Sequence, residues 1–255
     1  SRDISEILAS LPARRQTMLY SATYSTEVRA LAATLLHHPL EIDATPRNTT
    51  VTGVRQSLVP VDKRRKLELF CHLLRKRRWQ RLMVFANSRK RVEEVLASLR
   101  HSGVPSEAIH GEIPQHARLA ALRRFNAGET RVLVATDVAA RGLDISALPL
   151  VFNLDLPVSA EGYVHRIGRT ARAGEVGEAI SLVCADEAEQ LAAIETLIGK
   201  QLPRREVEGF EPKHRVPATG PNKPPPARSV GKAAAPGSRA PRKAATHRGR
   251  AGSQR

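Results

Sequence analysis

Aromatic side chains make up only 4% of this 255-residue sequence, so any core must be packed by Leu, Val, Ile and Ala. The 41% hydrophobic content supplies enough of them for a real core at this length. Cysteine is scarcer still. Cys71 and Cys184 sit singly in apolar stretches without Cys-x-x-Cys or His-rich ligand spacing, which excludes a disulfide framework and argues against a structural metal. They are expected to be buried free thiols of a reducing compartment. No run approaches 18 apolar residues, and no apolar leader with a cleavage site is visible, so a cytoplasmic protein off the membrane is the expectation. A Gly-x-x-x-x-Gly-Lys-Ser/Thr phosphate loop is also lacking. Finally, acidic residues vanish from one stretch: residues 212 to 255 hold eleven Lys/Arg and no Asp or Glu. Most of the net charge of +16 therefore sits in that stretch, and the rest of the chain is only mildly basic.

What is present begins with alternation. Short apolar runs at 54–61, 82–86, 108–110, 132–135, 150–154 and 179–184 read as strands, and amphipathic segments at 63–78, 89–101, 114–127, 160–171 and 186–199 read as helices. This alternation predicts an α/β fold with a parallel sheet flanked by helices, because continuous runs such as Val132-Leu133-Val134-Ala135 suit strands buried on both faces. Ahead of it, residues 2 to 45 read as helix, short strand (Thr17 to Ser21) and helix, and Asn48 to Gly53 suits an extended linker. From Pro212 onward the composition is Pro, Gly, Ala, Ser, Lys and Arg without Phe, Trp or Tyr, which cannot bury a core and predicts disorder.

Two arrays carry the chemistry. The run His165-Arg166-Ile167-Gly168-Arg169-Thr170-Ala171-Arg172 packs three arginines and a histidine into eight residues, after helix-start chemistry at Pro157-Val158-Ser159. If the run is helical, His165, Arg169 and Arg172 share one stripe and Arg166 points about 100° away. Arginine suits phosphate because its planar fork stays charged and binds phosphate oxygens bidentately. The bland alternative is a solvated basic face. Upstream lies Val132-Leu133-Val134-Ala135-Thr136-Asp137-Val138-Ala139-Ala140-Arg141-Gly142-Leu143-Asp144. Ser88, Gly111 and Thr136-Asp137 all follow ends of predicted strands, where open α/β sheets bind ligands and where exposed amides favour anions. Gly111 and Gly142 allow close backbone approach or a positive φ, with plain turn glycines as the alternative. Gln115, Arg118, Leu122 and Phe125 fall at helical offsets that place the two apolar residues in the core and the polar pair toward the loops.

Together with Ser21-Ala22-Thr23, Val84-Phe85-Ala86-Asn87-Ser88, and His110-Gly111 followed by Gln115 and Arg118, these arrays resemble in order and spacing the second half of a DEAD-box RNA helicase. The resemblance runs from residue 1 to about 212. Glu178 to Cys184 and Gly209-Phe210-Glu211-Pro212 look most like the bacterial RhlE type. It implies the end of a first RecA-like lobe over 1–45, a linker over 46–53, the second RecA-like lobe over 54–205 and a disordered basic tail over 206–255. It further implies that Ser88, Gly111, Arg118 and Thr136 hold the backbone of single-stranded RNA, that Asp144 bonds the ATP ribose, and that Arg169 and Arg172 are catalytic arginines reaching the γ-phosphate. Ser21, Thr23, Gln115, Asp137, Arg141, His165 and Arg166 would couple the nucleotide, the RNA and the first lobe; for Asp137, Arg141, His165 and Arg166 a local ion pair is the alternative.

Two departures from the family pattern are Ala171, where Gly is usual, and Ser88 in place of the commoner Thr; neither removes the needed chemistry. The Asp-Glu-Ala-Asp run is absent, and the chain opens at Ser1 on what reads as the end of an element. The expectation is a fragment that does not hydrolyse ATP alone and whose Mg ligands lie in a first lobe outside this sequence. The rival readings are a DNA-directed superfamily 2 helicase and a passive RNA-binding or annealing module. RNA is the expected partner, and ribonucleoprotein or RNA-degradation partners are not legible.

Overall fold

A computed structural model describes residues 2–21, 26–42, 53–143, 145, 148–170 and 176–221. The strands are β1 (Val54–Pro60), β2 (Leu82–Phe85), β3 (Ser106–Ile109), β4 (Val132–Ala135), β5 (Leu150–Asn153) and β6 (Gly177–Val183). The helices are α1 (Arg2–Ala9), α2 (Thr26–Leu35), α3 (Lys66–Arg77), α4 (Arg89–His101), α5 (Gln115–Asn126), α6 (Asp137–Ala140), α7 (Ala160–Ile167) and α8 (Ala188–Ile198). All strand pairs are parallel, in the order β1-β6-β5-β2-β4-β3, so the architecture is the RecA-like sheet flanked by helices that the alternation predicts.

The period of two along each strand sorts the core. Leu82 and Val84 face α3 and α4 with Phe70, Leu73, Val92 and Leu96, whereas Met83 and Phe85 face α5 and α6 with Leu122 and Phe125. On that second side the sheet's other half is covered by α7 and α8, through Tyr163, Ile167, Leu191 and Ile194. Each fully buried Leu, Val or Phe contributes on the order of 1.5–3 kcal/mol. Leu122 and Phe125 are core, as their helical offset predicts.

Three expectations change. Thr17 to Ser21 forms no strand among the described residues, and Met18 and Tyr20 are exposed. The tail does not begin at 206. Residues 206–221 pack against the lobe, with Phe210 inserted beside α3 and Val216 beside α8. Arg204 fastens them by donating to the Val216 carbonyl at 2.7 Å, and Asp62 accepts from the Lys213 amide at 3.1 Å. The segment's low apolar content hid the two anchors. Of the two thiols, both free, Cys184 is buried but Cys71 only half so. Burial pushes the Cys184 thiol up to about 11, which makes it unreactive.

Candidate functional site

The carboxyl ends of β2, β4 and β5 open onto one cleft of about 290 Å³. It lies beside the junction of β5 and β2, whose onward connections leave in opposite directions, the position where open α/β sheets form ligand crevices. Its lining comes from three separate stretches: Asn87 after β2, Thr136, Asp137 and Arg141 after β4, and His165, Arg166 and Arg169 around α7. Ser159 starts α7 by accepting from the Gly162 amide at 3.1 Å, the cap that Pro157-Val158-Ser159 predicts.

The helix is shorter than expected, which corrects the shared-stripe geometry. α7 stops at Ile167 and Gly168 caps it; a Cβ there would meet the Val164 carbonyl oxygen at 3.1 Å. Arg169 and Thr170 then turn toward Leu148, whose amide bonds the Arg169 carbonyl at 3.1 Å. Arg169 reaches the cleft from beyond the helix, its guanidinium donating to the Leu143 carbonyl at 3.0 Å. His165 stands on the rim. Partial burial, then the charges of Arg141 and Arg169, hold its pKa below the ordinary 6.5.

Arg166 is not a surface group at all. Only 1% exposed, it bonds Asp137 bidentately (2.6 and 2.7 Å) and donates to Asn87 Oδ1 (2.9 Å), Asn153 Oδ1 (3.3 Å) and the Asp155 carbonyl (2.6 Å). The local ion pair left open for Asp137 and Arg166 is therefore made, and it staples the ends of β2, β4 and β5 together. Asp155 extends the chain of contacts: it accepts from the Asn87 amide at 3.3 Å and lies 3.7 Å from the buried Lys66 ammonium, which Glu187 clasps at 2.6 and 2.7 Å. Lys66, Asp155 and Glu187 escaped the sequence reading, because a lysine opening a helix and two scattered acids carry no spacing signal.

The other singled-out residues lie along the neighbouring loops. Ser88 caps α4, accepting from the Arg91 amide at 3.2 Å, and is exposed. Gly111 is exposed with no atom within 4 Å of an added Cβ, so close approach to its backbone is possible although its φ is not positive. Gly142 does take a positive φ, 70°. Gln115 opens α5, exposed, and Arg118 donates to the Ala139 carbonyl at 3.3 Å while its buried Nε has no partner among the described residues. Thr136 precedes α6 and lines the cleft. Beside Gly111, buried His110 meets Glu93 at 2.8 Å. Ser21 is exposed in the extended segment after α1. Thr23, Asp144, Arg172 and the Ala171 departure lie outside the described residues.

A parallel RecA-like sheet with a cationic cleft at its switch point defines the class as a helicase C-terminal lobe, and residues 65–174 match the helicase conserved C-terminal domain. The chain belongs to the DEAD-box RNA helicase family. It is 39% identical over 202 residues to the DEAD-box ATP-dependent RNA helicase CshA of Bacillus licheniformis, covering 79% of this chain and 42% of that relative. The Geobacillus kaustophilus CshA is 40% identical over 202 residues, with 79% and 43% covered. Among solved structures, the Escherichia coli DEAD-box protein SrmB bound to the regulator of ribonuclease activity A is 41% identical with a TM-score of 0.59, covering 64% of this chain and 96% of that one. Saccharomyces cerevisiae Dbp5 bound to RNA and ADP BeF3 is 26% identical with a TM-score of 0.74, covering 81% and 55%. The chain thus spans less than half the length of the curated relatives it matches. The family is that expected from the motifs; the finer RhlE-type likeness has no specific counterpart in these relatives.

Proposed function

We propose that this chain is the C-terminal half of an ATP-dependent RNA helicase, working in the cytoplasm, which grips single-stranded RNA by its backbone and completes an ATP site shared with a preceding lobe. The observation that carries the reading is the convergence of Arg141, His165, Arg166 and Arg169 on the Thr136-Asp137 loop at the sheet's switch point. Ser88, Gly111, Arg118 and Thr136 are the RNA contacts, and the exposed Ser88 and Gly111 leave a hydroxyl and an open backbone for a sugar-phosphate chain. Such contacts fix position without reading sequence.

Arg141 and Arg169 in the cleft lining suit a polyphosphate, and Asp144, Arg169 and Arg172 are assigned to its ribose and γ-phosphate. Charge placed at a transferring phosphoryl group is worth roughly 10³ to 10⁵ in rate. The phosphate loop and the Mg ligands are assigned to the preceding lobe. The pair of buried Arg166 with Asp137 couples the two faces by locking the cleft loop to Asn87, next to the RNA contact Ser88.

The chain alone is expected to bind single-stranded RNA, weakening with salt, and to lack ATPase activity. Turnover typical of the family by the purified chain would overturn the division of the site. Stimulation of the full-length ATPase by DNA as strongly as by RNA would favour the DNA-directed rival.

A further inference from the structure

The opposite ends of the strands carry a second concentration of positive charge. Arg75, Lys76 and Arg77 end α3, Arg78 and Arg81 fill the turn before β2, and Arg123 lies in the last turn of α5; all but the half-buried Arg81 are exposed. Contacts join these segments into one surface. Arg81 donates to Asn126 Oδ1 at 3.0 Å and lies 5.0 Å over the Phe125 ring, while Arg131, just ahead of β4, donates to the Leu74 carbonyl at 3.3 Å and to that of Trp79. Of the nearby acids, Glu107 takes Arg124 at 2.6 Å, and the exposed Glu129 acts on that same arginine.

Stability does not require this many cations. A positive group near a helix C-terminus offsets the carbonyl dipole, and Arg131 performs that task for α3. Arg75, Lys76, Arg77 and Arg78 are surplus to it, and their mutual repulsion works against folding. No large exposed hydrophobic residue lies in 75–81 or 123–131. A protein partner needs an apolar anchor at the centre of its interface, whereas a phosphate backbone needs only the charge. The patch also lies within reach of the RNA contacts: β3 is the outer strand beside Gly111, and four residues of strand span about 13 Å.

We propose that this basic end of the sheet is an auxiliary contact for the phosphate backbone of RNA flanking the strand held at Ser88, Gly111, Arg118 and Thr136; it rests on the RNA reading above. RNA leaving that groove passes along the β3 edge and lays its flank on Arg75 to Arg78, Arg81 and Arg123.

The test uses the whole chain with Arg77→Glu, Arg78→Glu and Arg123→Glu combined, and two RNAs. One is a single strand of about six nucleotides, sized to the groove; the other is the same strand extended by a hairpin. Extended RNA should bind at least about tenfold more weakly to the variant at low salt, with log K against log salt flattened by about two units at about 0.7 per lost phosphate contact. Short RNA should bind both proteins alike, and the corresponding Gln variant should show a smaller loss in the same direction. Unchanged binding of the extended RNA, or equal loss on both RNAs with an unchanged melting temperature, would overturn the proposal. Wild-type chain that binds neither RNA would sink the RNA reading as well, and preference for an acidic protein over the extended RNA would reassign the surface.

Discussion

At the residue scale, Arg166 shows how an apparently exposed charge run can hide a buried staple. Its guanidinium satisfies Asp137, Asn87, Asn153 and a backbone carbonyl at once, and removing it leaves the buried Asn153 oxygen and the Asp155 carbonyl without their donor. Arg166→Met should therefore destabilise the lobe by about 1–3 kcal/mol in denaturant melts. Arg166→Lys should recover only part of this, because an ammonium cannot reproduce the fork. A loss within error of zero would show the pair to be dispensable. His165 offers a second check. Its folded pKa is below the unfolded value, so the unfolded chain takes up the proton first, and this residue's contribution is lost as pH falls below about 6.5. Proton resonances should place its titration below that of a free imidazole, and Arg141→Ala should move it part of the way upward; a titration at or above the ordinary value contradicts the burial and the arginine neighbours together.

Among the elements, the segment from 203 to 221 is the one whose role the composition concealed. It lays a backbone hydrogen bond on each side of Leu58 in the edge strand β1, Leu58 N to Pro203 O at 2.9 Å and Arg205 N to Leu58 O at 2.8 Å. Phe210 is held between Arg65, 4.4 Å from its ring, and His72, 5.2 Å between ring centroids. Phe210→Ala should cost about 3 kcal/mol in thermal melts, against nearly nothing if the segment is loosely attached. Asp62 holds the same strap: the Lys213 amide first, then that of His214, keeps its carboxyl below the ordinary 3.8. A depressed carboxylate stabilises above its unfolded pKa and is lost as pH falls through the folded one. Protease sensitivity at 206–221 should thus appear only below the ordinary carboxylate range, and Asp62→Asn should produce it at neutral pH. The six strands are legible as short apolar runs, and α3, α4, α5 and α8 as amphipathic segments with apolar residues at helical spacing. α7 was drawn too long, since Gly168 reads as one more small residue until Leu148 is seen drawing Arg169 and Thr170 aside. The cleft residues were legible as motifs, but the staple was not: Asn87, Asn153 and Asp155 meet Arg166 only through the fold.

At the scale of the whole molecule, one polar chain runs under the carboxyl edge of the sheet from Glu187 and Lys66 through Asp155 and Asn87 to Arg166 and Asp137. It holds the cleft loop and the α4 N-terminus as one rigid unit, and the proposed RNA and nucleotide faces flank it. The central claim is that the arginines at 169 and 172 serve the nucleotide and not the RNA. The most direct measurement is RNA-stimulated ATP hydrolysis and RNA affinity of the full-length protein carrying Arg169→Ala, with Arg172→Ala beside it. Hydrolysis is expected to fall by about 10³ or more in each variant while RNA affinity stays nearly unchanged. Parallel loss of RNA binding and hydrolysis, or full activity in both variants, would contradict the assignment of that face to the nucleotide.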